Sequence, residues 1–417
     1  MPINRDRNSR KRILVSSSLK LYVHELLYAL QKYQWDYLFV TSFWYKPEQF
    51  PFFLVNFFPG KIRGFMEREF RKKYDKKLKG ENIKQFPWFE LIRELSDKLF
   101  LQRFAERMLF YRDRIHDRFV ASRLNTYEPD IVVGYEESCL LTFRKAKEKG
   151  RKTILDLAQV HYREIIEISD RYPAFGDLYK NKKLRSKIDL IKEEELSLAD
   201  YVICLSDFAK DTLVKNGISP KKIFVANLGI DPLTFNPKQS YESSGKLKVV
   251  FAGTLTKRKG IDLLLKIKRE IPDTIDLTFI GPMGDARDLF EGYPVDYTHH
   301  PYVEQKRLNA LLNQSDVFVF PSYLDSWGMV VVEAMASGLP VIVSDNTGAK
   351  EAVSDECGFC VPTGNYCALK EKIMHLNKFR NELKSKGENA RKNALAYAWE
   401  NYYRKIDHIM SEISGSN

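Results

Sequence analysis

Short apolar runs alternate with amphipathic stretches along this chain, and the rhythm is played twice. In the first half Ile13-Leu-Val breaks off at Ser16-Ser-Ser, and apolar residues then recur at helical spacing from about Leu21 to Lys32. Further strands are expected at Tyr37 to Thr41, at Asp130-Ile-Val-Val-Gly and at Thr153-Ile-Leu-Asp-Leu. A helical stretch from about Leu178 to Ala199 leads into Tyr201-Val-Ile-Cys-Leu-Ser, a strand that stops at a hydroxyl residue. Residues 43–123 break the rhythm. They hold Phe50-Pro-Phe-Phe-Leu-Val-Asn-Phe-Phe58, a basic stretch from Lys61 to Lys79, and then helices rich in Arg, Phe and Leu, and they read as an insertion.

Gly229 to Gly245 is rich in Pro, Ser, Asn and Gly and has no period, as an interdomain linker would. The second half then restarts. Its strands are expected at Leu247–Ala252, Leu277–Ile280, Val317–Phe320 and Val341–Val343, and its helices near Gly260–Glu270, Val303–Asn313, Val330–Ala336 and Tyr366–Leu376. Unbroken apolar strands between helices mean parallel sheets covered on both faces. The expected class is α/β, with two doubly wound, Rossmann-like domains at residues 1–235 and 245–396. A ligand cleft is expected between the carboxyl ends of their strands. The 417 residues suit two cores better than one.

The chemistry concentrates in Pro321-Ser-Tyr-Leu-Asp-Ser-Trp-Gly-Met-Val-Val-Val-Glu-Ala-Met-Ala-Ser-Gly-Leu-Pro340. A buried strand ends at Pro321, a loop carries Asp325, and a helix starts near Gly328. The first amides of such a helix have no partner within it, and with the helix dipole they suit a phosphate or a sugar hydroxyl. Trp327, Gly328, Met329 and Val330 line that start. Glu333, in the second turn, can face a ribose diol, and Asp325, seven intervening residues earlier, can accept from a sugar. A second segment, Phe251-Ala-Gly-Thr-Leu-Thr-Lys-Arg-Lys-Gly-Ile-Asp, sets Lys257, Arg258 and Lys259 on a glycine-flanked loop before a helix, a pattern that can clamp a diphosphate.

These segments resemble glycosyltransferase family 4, retaining enzymes of GT-B fold, whose signature is a Glu, seven residues and a second Glu within a segment like Pro-Ser-x-x-Glu-Gly-Phe-Gly-x-x-x-x-Glu-Ala-Met-Ala-x-Gly-x-Pro-Val. The resemblance covers about Asp130 to Gly364, with Asp325 in place of the first Glu and Ser326-Trp327 in place of Gly-Phe. It implies that Asp325 meets the transferred sugar, Glu333 the ribose and Lys259 the phosphate. Gly253 is the family's first loop glycine, and Thr254 stands where the family has an Arg, a loss that Arg258 can offset. Gly281, in Ile280-Gly-Pro, and Val303, in Pro301-Tyr-Val, match its base-binding turns. His161 lies where family members often place a functional His. Lys259, Asp325 and His161 are thus the candidate catalytic residues. Ser16, Ser17, Ser18 and Lys20 replace the family's Gly-rich first loop and are candidate acceptor contacts, and Ser206 has a similar position. In the resembled fold the last helix, here within residues 397–417, packs back on the N-terminal domain.

The implied reaction moves a sugar from a nucleotide-diphosphate donor to a glycan or lipid-linked acceptor; no Asp-x-Asp occurs, so fixed cations and a helix N-terminus are expected to offset the leaving group's charge. No metal and no cofactor beyond the co-substrate is expected. The departures at Asp325 and Thr254 also fit an alternative, a nucleotide-sugar-binding subunit without turnover. The net charge of +12 suits an anionic partner. Phe50–Phe58 beside Lys61–Lys79 fits an anionic membrane surface as well as an ordinary core segment followed by a solvated helix. A nucleic-acid partner is not expected, because no aromatic stacking motif accompanies the basic residues. Five cysteines, with Cys357, Cys360 and Cys367 lacking a convincing fourth ligand, point to free thiols. No run of about 18 apolar residues is present, so the expected location is the cytoplasm, with peripheral attachment to the inner face of the membrane.

Overall fold

The computed structural model describes residues 11–18, 22–45, 80–86, 105–176, 182–241 and 244–415, with a few isolated positions between 53 and 78. Two sheets carry the fold. The first holds β1 (Ile13–Ser17), β2 (Tyr37–Thr41), β3 (Ile83–Gln85), β4 (Ile131–Tyr135), β5 (Lys152–Leu157), β6 (Tyr201–Cys204) and β7 (Ile223–Val225), in the order β3-β2-β1-β4-β5-β6-β7. The second holds β8 (Leu247–Ala252), β9 (Ile275–Ile280), β10 (Thr298–His300), β11 (Val317–Phe320), β12 (Val341–Ser344) and β13 (Gly358–Val361), in the order β10-β9-β8-β11-β12-β13. The described pairings are parallel, with Ile13 opposite both Tyr37 and Ile131, and Val249 opposite both Leu277 and Val317.

The central strands are buried along their whole length, which is why Ile-Leu-Val and Val-Phe-Val-Phe run unbroken where a half-exposed strand would alternate. The expected strands at 247–252 and 317–320 match β8 and β11, whereas β9 starts two residues before its expected Leu277. β3, β7, β10 and β13 escape the sequence reading. They are three or four residues long and lie at or near sheet edges, where exposed polar residues such as Thr298 and Cys360 dilute the pattern. His299 and His300 sit on the edge strand β10.

The chain divides into two compact units, one of Met1–Leu157, Asn181–Ile203 and Tyr403–Asn417, the other of Ala158–Lys180 and Cys204–Tyr402. Residues 158–180 therefore belong with the second unit although they follow β5 directly. In the first unit the last helix (Trp399–Gly415) is tied down from Tyr403 onward. Tyr403 donates to Glu25 at 2.5 Å, and Asp407 accepts from the Trp35 indole at 2.9 Å.

The helix Ala105–Tyr127 falls largely within the expected insertion, yet it turns Arg112, Asp113, His116, Asp117, Val120 and Leu124 inward. Asp117 caps the helix Leu140–Glu148 by accepting from the Leu141 and Thr142 amides at 2.8 and 2.9 Å. Most of Phe50–Phe58 and Lys61–Lys79 lies outside the described residues. So does Lys20.

Candidate functional site

β11 runs out at Phe320, and the chain turns through Asp325 to Gly328, which adopts the left-handed conformation (φ 83°) and opens the helix Met329–Ala336. A side chain at Gly328 would crowd Thr347 and Phe320 as well as strain the backbone. No side chain caps this helix, and the Met329 and Val330 amides meet no partner among the described residues. The Trp327 amide is taken. It donates to Asp325 Oδ1 at 3.1 Å, while the indole is buried and donates to the Leu228 carbonyl at 3.1 Å. Trp327 thus shapes the turn with its ring in the core.

Glu333 is 5 % exposed, and no side chain among the described residues donates to its carboxylate. Burial pushes its acid up to about 7. Near it in sequence, Asp325 pairs through Oδ2 with Lys259. The ammonium of Lys259 also lies 4.7 Å from the Phe320 ring centroid. Burial lowers the lysine, Asp325 raises it, and Arg258 lowers it further. For Asp325, burial works against ionisation, but Lys259 and Arg258 outweigh it and hold the acid below its ordinary value.

Lys257–Lys259 form one 3₁₀ turn that ends at Gly260, also left-handed (φ 71°), where a Cβ would overlap the Pro321 carbonyl. The turn sorts its cations. Lys257 leaves toward Asp288, at 2.6 Å, whereas Lys259 turns to Asp325. Arg258 reaches Gln159 at 3.4 Å, and its carbonyl accepts from the Tyr323 amide at 2.9 Å. At the ends of β8 and β9, Gly253 and Gly281 share φ 135°, and a Cβ on Gly281 would overlap the Gly253 carbonyl. Thr254 beside them is exposed, and Val303 is half-buried after β10.

Residues 234–393 match the glycosyl transferases group 1 family. Similar curated proteins include the putative colanic acid biosynthesis glycosyltransferase WcaL of Escherichia coli K12, 28 % identical over 42 % of this chain and 47 % of the relative. Another is the D-inositol 3-phosphate glycosyltransferase of Arthrobacter sp. FB24, 32 % identical over 32 % of this chain and 36 % of the relative. The chain thus matches less than half the length of these relatives. Among solved structures, sucrose-phosphate synthase from Thermosynechococcus elongatus superposes with a TM-score of 0.64 at 16 % identity, covering 97 % of this chain and 99 % of the other. Anabaena HepE in complex with UDP gives 0.65 at 14 % identity, covering 97 % and 100 %. The fold is GT-B: two Rossmann-like domains, with seven- and six-stranded parallel sheets.

Lys259, Asp325 and Glu333 all lie within the glycosyl transferases group 1 segment. His161 lies outside it in sequence but inside the same compact unit. It caps the helix Tyr162–Arg171, its Nδ1 accepting from the Arg163 amide at 3.2 Å. Ser206 is fully buried and donates to the Ser326 carbonyl at 2.6 Å. It braces the Asp325 turn.

In the first unit the Ser16–Ser18 turn is closed by residues the sequence reading missed. Ser16 bonds His116 Nε2 at 3.0 Å, and Ser18 donates to Asp113 at 2.5 Å. Ser17 is fully buried. Burial lowers His116 to about 3, so it is neutral. The available signal was Arg112-Asp113 followed by His116-Asp117, polar pairs four residues apart on one helical face. Among the described residues no group of three or more His, Cys, Asp or Glu could hold a metal ion, and no helix is long and apolar enough to cross a membrane.

Proposed function

We propose that this chain is a retaining hexosyltransferase that works without a metal. It takes a sugar from a nucleotide diphosphate and passes it to a glycan or lipid-linked acceptor in cell-envelope or polysaccharide biosynthesis. One observation carries the reading: Glu333 is a desolvated carboxylate that, among the described residues, has no protein donor, on the helix whose first amides meet no partner among those residues and whose entry loop meets Lys259. A buried carboxylate is stabilised by hydroxyls that donate to it, and a ribose diol supplies two.

Lys259 and Arg258 then face the diphosphate, with the open amides of Met329 and Val330 beside them. Gly253, Thr254 and Gly281 let the nucleotide approach the backbone, and the main chain at Val303 meets the base. His161 is the remaining candidate for contact with the sugar or phosphate. The bond from the anomeric carbon to the phosphate oxygen breaks, and the acceptor oxygen bonds to that carbon from the same face. The acceptor's proton passes to the departing phosphate, so no enzymic nucleophile takes part. The relatives' names support polysaccharide synthesis, since WcaL is described as a colanic acid biosynthesis enzyme.

The test is a thermal-shift panel of nucleotide sugars in metal-free buffer. One nucleotide class should raise the melting temperature, and Lys259→Ala and Glu333→Ala should each abolish that rise. Two variants that respond as the wild type does would refute the assignment. Docking on an anionic membrane rests on the +12 charge and the composition of residues 43–123. Vesicles containing acidic lipid should carry the protein upward in flotation at low salt, and failure to float would remove this part.

A further inference from the structure

Where the resembled family has a glutamate facing the sugar, this chain has an aspartate that is already engaged. Its amide donates to the Asn346 carbonyl at 3.0 Å, and its carbonyl accepts from the Gly348 amide at 3.0 Å. Lacking one methylene, the side chain stays close to its own backbone, where the Trp327 amide reaches Oδ1 at 3.1 Å. Oδ2 pairs with Lys259. Both oxygens therefore carry a donor before any substrate arrives.

We propose that Asp325 is a positioning residue for Lys259: it fixes the ammonium for the donor's diphosphate and does not read the transferred sugar. The inference rests on the donor-site reading proposed above. Its support is geometric. Lys259 and Asp325 are 14 % and 13 % exposed, so their pairing is shielded from water on most sides. The lysine is held from below by the Phe320 ring and from its own turn by left-handed Gly260. Arg258 is the next residue and carries the same charge. Removing the carboxylate leaves the ammonium facing burial and a neighbouring guanidinium with no counter-ion, and a desolvated lysine in that position gives up its proton more readily.

Calorimetry with UDP, GDP and ADP, which carry the diphosphate but no sugar, separates the two roles. For whichever nucleotide binds the wild type, Asp325→Asn should weaken binding about ten-fold or more at pH 8.5, and less at pH 7, where more of the lysine keeps its proton. Asp325→Glu restores the charge and should return affinity to within about three-fold of wild type. A residue that only reads sugar predicts the opposite: Asp325→Asn binds the bare diphosphate as well as wild type, or better for having lost a negative charge. That result, or Asp325→Glu binding no better than Asp325→Asn, overturns the proposal.

If Asp325→Asn does not fold, Asp325→Ser, whose hydroxyl can still accept from the Trp327 amide, takes its place. A loss of diphosphate affinity of about ten-fold in folded Asp325→Ser supports the proposal, and affinity equal to or better than wild type overturns it. A ten-fold loss in folded Asp325→Glu overturns it. The underlying reading fails separately, and takes the proposal with it, if none of the three nucleotides binds or if Lys259→Ala leaves their affinity unchanged.

Discussion

Two turns in this protein begin alike and end differently. β1 ends in Ser16-Ser-Ser, and after β11 the chain passes through Asp325-Ser-Trp-Gly; each is a polar segment at the carboxyl end of a central parallel strand. In the first, polar side chains are closed by protein partners, Ser16 on His116 and Ser18 on Asp113. In the second, Asp325 is closed by Lys259 and Trp327, but two helix amides and the carboxylate of Glu333 find no partner among the described residues. Position in the fold alone therefore does not mark a ligand site. Open hydrogen-bonding capacity does, because a buried polar group without a partner is costly unless something else supplies one.

The comparison can be broken most sharply at Asp113. Its carboxylate bonds the Arg112 Nε at 2.9 Å and receives Ser18 at 2.5 Å, with Arg112 itself 4 % exposed. Asp113→Ala strands a buried guanidinium, so an equilibrium unfolding curve should show a loss of about 3–5 kcal/mol. The folded variant should keep the nucleotide-induced shift of the wild type. A variant that is as stable as wild type but has lost acceptor turnover would reverse the assignment, making the serine turn a substrate site rather than a structural knot.

Much of this contrast was legible beforehand on one side only. The Pro321–Pro340 segment announces itself because a ligand site built from helix amides, glycines and carboxylates needs fixed residue types at fixed spacing. Lys259 and Glu333 could be named for that reason, and the strands β8 and β11 for their unbroken apolar runs. The partners of the serine turn are not legible in the sequence, because they lie about 100 residues away on a helix expected within an insertion. A buried Asp or His on a helix face looks the same in sequence as a solvated one. Ser206 and Trp327 were invisible as braces for a similar reason: each bonds a backbone carbonyl, which leaves no sequence signature. Short strands such as β10 were lost because three residues cannot display a period.

The smaller effect, and the finer test of the comparison, lies at Glu333. Burial raises its acid from 4.5 to about 7. The unfolded chain releases that proton near 4.5, whereas the folded protein holds it until about 7. Across this window the folded state binds more protons, so the residue's contribution to stability falls as pH rises, and the loss is complete above about 7. Glu333→Gln cannot ionise and escapes the penalty. Free of nucleotide, it should match wild type near pH 5 and exceed it by about 1–3 kcal/mol at pH 8, seen as a melting temperature higher by several degrees. With nucleotide sugar present the order should reverse, because the amide accepts fewer hydroxyls than the carboxylate. A Glu333→Gln protein less stable than wild type at pH 8 without ligand would mean that the carboxylate serves the fold. The open turn would then be as closed as the serine turn, and the distinction between the two would disappear.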